Sequence, residues 1–423
     1  MDLFSRRLSA GITALHGRPR GRLTVLSGAR QTGKSTLVRA AFPDHHYIDF
    51  DAPTERAVWA RLTPADWIAR HPRAILDEAQ KLPEVFDTIK AVYDRAPQSR
   101  YVLLGSSQIL LLDRVRESLA GRAALRELFA FSVAELAAGP GAPVRTPPVE
   151  ELLVGDPAEV LDGIAPERAL NPRAASATGA WERFLRWGGM PALHAEDWTD
   201  GDRWEWLQDY QSAYLQRDLR DLARIDRLEP FVRAMQAAAL RSSQPINFSE
   251  LARLAGVAPQ TARQFVHYLE VSYQVVMLPA WYRNAEKRLT KRPRVHFLDP
   301  GIRRCILNRR GDPDGADVES GVVAEFVKCV RTNRLPVQLH HLRTHDQREV
   351  DLLIERDDGY IAVEIKQAQR VASPDARGFR GLDAILDKPL LAGLVLSHDT
   401  APRRLEADGL PPTWAIPIPL LFG

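Results

Sequence analysis

The sequence predicts a multidomain α/β chain, and three observations predict it. A short β-rich run, Arg22–Ser27, leads into a glycine-rich loop and then a helix. A helix–turn–helix pattern occupies the region around residues 248–270. Two strands joined by an Asp-Gly turn, within residues 348–366, carry carboxylates and a lysine at alternating positions. The chain has 423 residues, enough for about two to four domains. We place an α/β domain at 1–138, a Pro/Gly-rich linker at 139–180, a helical domain at 181–308 and a second α/β domain at 309–423.

Composition excludes several classes. Hydrophobic residues make up 45% and charged residues 26%, which rules out wholesale disorder. No apolar run approaches the roughly 18 residues that span a bilayer, so no membrane partner is expected. The N-terminus has no uninterrupted apolar core followed by a cleavage site, so no signal peptide is read. Two cysteines, Cys305 and Cys329, cannot form a disulfide framework or a cysteine-rich zinc site, and they suit a reducing cytoplasm. The net charge is +3. Arginine dominates the basic side, with 49 Arg against 8 Lys. The excess fits genome base composition, and it makes the position of each lysine informative.

The first element is the loop Gly28, Ala29, Arg30, Gln31, Thr32, Gly33, Lys34, Ser35, Thr36. This is the P-loop pattern G-x-x-x-x-G-K-[ST] in its strand–loop–helix setting. Glycines let backbone N–H groups wrap phosphates, and the helix N-terminus adds its positive dipole end. Lys34, one of the rare lysines, is expected to reach the β- and γ-phosphates of ATP, and the Ser35 hydroxyl to ligate Mg²⁺. The second element, Arg73–Glu78, is an apolar strand ending in two carboxylates, as a Walker B strand requires. Asp77 would hold Mg²⁺ through water, and Glu78 would polarise the attacking water. A third strand, Tyr101–Gly105, ends in Ser106 and Ser107. Either hydroxyl could contact the γ-phosphate or cap the next helix.

Residues 139–178 are rich in Pro, Gly and Ala and read as a linker or loose insertion with a short helix. Helical patterning resumes at Trp181. A helix capped by Ser249, a turn at Gly256 and a second helix from Pro259 make the helix–turn–helix, and Val271–Leu278 reads as the wing strand of a winged helix. Gln260, Thr261, Arg263 and Gln264 fall where a recognition helix meets a DNA major groove. The basic run that follows includes Lys287, Arg288, Lys291 and Arg292 beside two aromatics, suited to phosphates and bases.

In the last region Asp351 lies on one strand, and Glu364 and Lys366 share a face of the next. With a helical Glu325 before them, this is the arrangement of the PD-(D/E)xK nuclease core. Asp351 and Glu364 would bind Mg²⁺, Glu325 would support it, and Lys366 would orient or activate water.

Taken together, Gly28–Thr36, Ile75–Gln80, Leu104–Ser107, Ser118–Arg122, Asn284 with Lys287–Lys291, Phe297–Asp299, and Glu349–Asp351 with Glu364–Lys366 resemble the bacterial and archaeal AAA-type ATPases that carry a C-terminal domain of unknown function. The resemblance covers nearly the whole chain except the Pro-rich segment. It implies an α/β multidomain protein: an AAA+-type P-loop NTPase domain, a helical, winged-helix middle and a restriction-endonuclease-like α/β C-terminal domain. It also implies Ser106 or Ser107 as the sensor 1 group, Arg122 as the arginine finger, and a homo-oligomer, a ring, hexamer or similar, since such fingers act on a neighbouring subunit. The expected function is a Mg²⁺-dependent ATPase acting on DNA, with metal-dependent cleavage in the C-terminal domain. The alternative is a nucleotide-dependent oligomeric switch that recruits a partner and does not cut.

Overall fold

The computed structural model describes all residues except 1–2, 106–107, 165–171, 216–227, 285, 287, 289–290 and 345–347, and the side chains at 108–110 and 112–113. Its first sheet has five parallel strands: β1 (Leu23–Ser27), β2 (His46–Asp49), β3 (Arg73–Asp77), β4 (Arg100–Leu104) and β5 (Ala124–Glu127). Their order is β2-β3-β4-β1-β5, with Val25 opposite Leu103 and Ile75 opposite Val102. Parallel strands are stable when both faces are covered. Here Leu23, Val25, Leu76 and Leu103 bury one face, and Leu26, Ile75, Val102 and Leu104 the other. This register brings the ends of β1, β3 and β4 to one edge of the sheet, where open α/β sheets bind ligands.

The middle region is mainly helical, with helices at Pro172–Trp187, Asp200–Ala213, Leu228–Leu240, Phe248–Ala255 and Pro259–Val271. A small antiparallel sheet of β6 (Gln244–Pro245), β7 (Val275–Leu278) and β8 (Arg294–Phe297) packs on them in the order β6-β8-β7. Phe231, Phe265, Leu269, Val295 and Phe297 form its core. The Phe248–Ala255 helix is capped by Asn247, whose side chain accepts from the backbone of Ser249 and Glu250, so the cap lies two residues before the predicted Ser249. Asn is as good a cap as Ser, and the cap goes to the residue whose backbone is still extended. Gly256, at φ 69°, closes the helix in the left-handed region.

The last region has a helix, Gly315–Asn333, and a six-stranded sheet. Its strands are β9 (Gln338–Arg343), β10 (Glu349–Glu355), β11 (Tyr360–Lys366), β12 (Leu390–Ser397), β13 (Arg403–Leu405) and β14 (Thr413–Pro417). The order is β13-β14-β12-β11-β10-β9: β9, β10 and β11 run antiparallel, and β11, β12 and β14 parallel.

The Pro-rich segment departs from the expected loose linker. Pro148–Val154 and Pro157–Asp162 are helices, each with proline at N1 where its missing N–H costs nothing. Their Val149, Leu152, Leu153 and Leu161 are buried in one core with Phe131, Trp181, Phe326, Ile354 and Trp414. At about 2–3 kcal/mol for each large apolar side chain removed from water, this segment contributes to stability. The first α/β region, the middle and the C-terminal sheet therefore share one apolar core rather than hanging on a tether.

Candidate functional site

The glycine-rich loop turns sharply between β1 and the Lys34–Ala41 helix. Gly28 has φ 155° and lies against the Leu128 carbonyl, where a Cβ would come within 2.1 Å. Gly33 takes φ 88° at the helix N-cap. These two positions need glycine. Thr32 Oγ1 donates to the Ala29 carbonyl at 2.9 Å. Lys34 is buried, and its ammonium donates to the carbonyls of Gly28 and Ala29 at 3.0 and 2.8 Å. A cation folded back over its own loop carbonyls marks where an anion would be welcomed.

Asp77 ends β3 opposite this loop. Its Oδ2 accepts from Ser35 Oγ at 2.5 Å and from the Tyr47 hydroxyl at 2.6 Å. Ser35 and Asp77, 42 positions apart in sequence, are thus brought together as Mg²⁺-holding groups would be. Burial and the Asp77 carboxylate push the Tyr47 hydroxyl above its usual range, which keeps it a donor. The Arg39 guanidinium lies 3.6 Å from the Tyr47 ring centroid. Glu78 follows in the left-handed region at φ 51°, and the Gln80 amide donates to it at 2.5 Å. Arg6 covers the loop from the N-terminal side. It donates to the Thr32 carbonyl at 2.7 Å and the Phe129 carbonyl at 2.6 Å, and pairs with Glu135 at 3.1 Å. Tyr273 reaches in from the middle region. It takes φ 60°, and its hydroxyl donates to Ser27 Oγ and Glu127 Oε1, both at 3.1 Å.

Beside the loop is a cavity of about 1180 Å³. Gly33, Thr36 and Ala40 line one wall, the helix Leu8–His16 another, and Pro191, His194 and Glu196 of the middle region a third. Burial lowers His194 to about 4, so its imidazole is neutral near pH 7.

Sequence expectations meet different outcomes here. Ser35 and Asp77 are hydrogen-bonded, Lys34 lies on the same loop and folds onto its carbonyls, and Glu78 follows Asp77 with its carboxylate held by Gln80. Ser106 and Ser107 lie outside the described residues. Arg122 makes a two-pronged pair with Asp94 of its own chain, at 2.9 and 3.0 Å. Tyr47, Arg6 and Tyr273 have no signature in the sequence, because each comes from a separate element and none belongs to a local motif. Gln80 closes the Ile75–Gln80 stretch, and its bond to Glu78 is seen only in the structure.

A second group of charges lies where β10 and β11 meet the helix Gly315–Asn333. Lys366 Nζ donates to Glu364 Oε1 at 2.6 Å, and Asp351 Oδ2 accepts from the Ile365 amide at 2.9 Å. Glu364 Oε2 is buried with no hydrogen-bond partner among the described residues. The helical carboxylate here is Glu319, not Glu325. Six residues at 100° each turn Glu325 some 120° away around the helix. It is buried instead with Lys328 Nζ, at 2.8 Å, and the Val133 amide, at 2.8 Å. Burial, then the Asp351 charge, raise both Glu319 and Glu364 above the carboxylate range.

Into this group comes Arg294 of β8, fully buried. Its guanidinium donates to Glu319 at 3.2 Å, to Asp351 at 3.3 Å and to Glu349. The expected metal pair Asp351 and Glu364 therefore faces a cation already present. Among the described residues, no three His, Cys, Asp or Glu side chains gather closely enough to hold a metal ion. These residues as placed do not fit a resident Mg²⁺.

On the helix–turn–helix, Gln260 and Arg263 are exposed and Thr261 is half-buried, with Arg263 stacked over Phe248 at 4.4 Å. Gln264 donates to the Tyr268 hydroxyl at 2.5 Å. In the basic run, Lys291 and Arg292 are exposed, and Lys287 lies outside the described residues. Arg288 is tied to Glu355 at 2.9 Å and to the Tyr282 carbonyl at 2.6 Å, so it faces inward rather than toward a ligand. Among the described residues no helix is long and apolar enough to cross a membrane.

Comparison with known proteins matches three stretches of the chain. Residues 20–137 match the model of the AAA domain, 178–312 that of a domain of unknown function (DUF8612), and 314–421 that of another domain of unknown function (DUF4143). The chain is similar to "Uncharacterized protein Rv2008c" of Mycobacterium tuberculosis and "Uncharacterized protein Mb2031c" of Mycobacterium bovis. Each is 26% identical over 363 residues, covering 84% of this chain and 71% of the relative. Among solved structures, it is similar to the Walker-type ATPase PABY2304 of Pyrococcus abyssi, at 15% identity and TM-score 0.46, covering 72% of this chain and 96% of that one. It is also similar to the STAND protein PH0952 of Pyrococcus horikoshii, at 10% identity and TM-score 0.26, covering 78% and 46%. With the parallel sheet and the loop geometry, the AAA match makes the N-terminal region a P-loop ATPase-type domain joined to further domains.

Proposed function

We propose that this protein is a Mg²⁺-dependent ATP hydrolase whose nucleotide site drives the middle region against DNA. The observation that carries the proposal is the meeting of Lys34, Ser35, Asp77 and Glu78 at one sheet edge, beside a cavity partly walled by the middle region. Arriving phosphates would draw the Lys34 ammonium off the Gly28 and Ala29 carbonyls, exchanging neutral acceptors for charged ones. Ser35 and Asp77 would hold the Mg²⁺ that accompanies the nucleotide. That ion supplies charge neutralisation between the phosphates. Glu78 would accept the proton of the attacking water once Gln80 releases it. Pro191 and His194 wall the cavity beside the loop, and the base and sugar of a bound nucleotide would pack against them. Closing on them would move the middle helices.

DNA is the proposed partner because Gln260, Arg263, Lys291 and Arg292 leave polar and basic groups exposed on a helix–turn–helix with adjoining strands, a winged-helix arrangement. Arg122 acts as a trans finger in a homo-oligomer only if Asp94 releases it. The test is ATP turnover with and without duplex and single-stranded DNA. Lys34→Ala should cut turnover by about 100-fold or more. Arg263→Ala with Lys291→Ala should weaken DNA binding and leave basal turnover unchanged. Unaltered turnover in Lys34→Ala would end the ATPase reading.

A second reading has a specific observation behind it. Arg294 seated among Glu319, Glu349 and Asp351 favours a nucleotide-dependent switch whose restriction-endonuclease-like domain does not cut.

A further inference from the structure

We infer that Arg294 is the resident cation of the C-terminal carboxylate cluster: it occupies the place a divalent metal would need and latches the small β6-β8-β7 sheet onto the C-terminal domain.

Four observations carry this. Arg294 belongs to β8, in the stretch 178–312 matched by one domain model, whereas Glu319, Glu349, Asp351 and Glu364 lie in 314–421, matched by another. Its guanidinium bridges three of those carboxylates, one from the Gly315–Asn333 helix and two from β10. It is fixed from behind by its strand, opposite Leu278 on β7 and Pro245 on β6. Meanwhile the acidic side chains fail to converge as a metal site, and Glu364 Oε2 is left without a partner.

Charge arithmetic favours the same conclusion. Three carboxylates and a fourth close by repel one another in a partly buried site, and a fork of five N–H donors relieves that repulsion without losing its charge at any physiological pH. Lys366 pairs directly with Glu364 and not with the carboxylates that Arg294 bridges. A divalent ion placed among the same oxygens would meet the fixed guanidinium at short range, a like-charge contact that the low local dielectric makes severe. The site therefore holds Arg294 or a metal, and the packed strand behind Arg294 decides for Arg294. The cluster is thus the socket of a contact between domains. The inference uses the nuclease-like resemblance only to say what metal would otherwise be expected. It is independent of the ATPase reading, so an inactive ATP site would leave it standing.

The experiment is Mn²⁺ binding to the nucleotide-free, metal-stripped full chain, followed by the electron paramagnetic resonance signal of free Mn²⁺. Wild type should show no binding that Asp351→Asn removes. Arg294→Met should gain about one Mn²⁺ per chain, bound at least about tenfold more tightly than in wild type, and Arg294→Met with Asp351→Asn should lose that gain. Asp351-dependent Mn²⁺ binding in wild type would overturn the inference. So would a folded Arg294→Met protein that binds no more Mn²⁺ than wild type. Arg294→Gln, which keeps a hydrogen-bonding amide, takes the same role if circular dichroism shows Arg294→Met unfolded. The wild-type measurement stands without either.

Discussion

Tyr47 illustrates how single side chains set the nucleotide site. Its hydroxyl shares Asp77 Oδ2 with Ser35 and helps to fix the carboxylate. Tyr47→Phe removes one neutral-to-charged hydrogen bond, worth about 1.5–3 kcal/mol when buried and less at this half-exposed place. We expect the KM for Mg²⁺ in ATP turnover to rise several-fold while kcat changes less. An unchanged KM would mean that Ser35 and the Glu78 amide suffice to orient Asp77. Gly28 gives a sharper case. Its φ of 155° and the Leu128 carbonyl 2.1 Å from a would-be Cβ leave no room for alanine. Gly28→Ala should lower unfolding stability by about 3 kcal/mol or more, read as a fall in the denaturant midpoint. The P-loop residues were legible because the motif is contiguous and its chemistry local. Arg6 and Arg294 were not. Each acts on groups more than twenty residues away, and nothing in the sequence separates them from the 49 arginines present.

Between elements, caps and helix faces decide which contacts form. Asp299 caps the Pro300–Ile306 helix by accepting from Ile302 at 3.1 Å, and accepts from the Gly189 amide at 2.8 Å just after the Pro172–Trp187 helix. One buried carboxylate thus joins two helices. Asp299→Ala removes the cap and strands a buried N–H, a loss of about 2–4 kcal/mol by urea unfolding, and Asp299→Asn should lose less because its side-chain oxygen still accepts. A loss under about 0.5 kcal/mol would mean that water replaces the carboxylate. Element type was legible wherever the pattern ran long: strands ending in Asp77, the Asp-Gly hairpin, the turn at Gly256. Facing was not. Glu319 and Glu325 lie on the same predicted helix, and only the packing of that helix chooses which points at Asp351. The Pro-rich segment misled for a related reason. Proline is favoured at the first position of a helix although it breaks a helix interior, and Val149, Leu152 and Leu153 on one short helix with Leu161 on the next suffice to dock the pair.

Across the whole molecule, buried imidazoles set the response to acid. Burial, aided by neighbouring positive charge, lowers His16 to about 4 and His341 to about 3. In the unfolded chain both bind a proton near the ordinary pKa of about 6.5. Between those values the unfolded state holds more protons, so stability is full above pH 6.5 and is lost as pH falls. Each such histidine contributes a slope of up to about 1.4 kcal/mol per pH unit below 6.5. Glu319 and Glu364, raised by burial, act in the opposite sense over the same range, so the test is comparative: the thermal midpoint should fall more between pH 6.5 and pH 5 in wild type than in His16→Gln. An equal fall in both would contradict the burial of His16.

Tyr273 connects these scales. It stands in the turn just past the Pro259–Val271 helix, and its hydroxyl rests on the last residue of β1, one position ahead of the phosphate loop. A thirteen-residue helix is about 20 Å long. With its near end held at that turn, a tilt of about 10° would swing Gln260 at the far end through about 3–4 Å. A small rotation at the held end is thus magnified at the tip of the arm. That is comparable with the distance separating a side chain that touches a base edge from one that misses it.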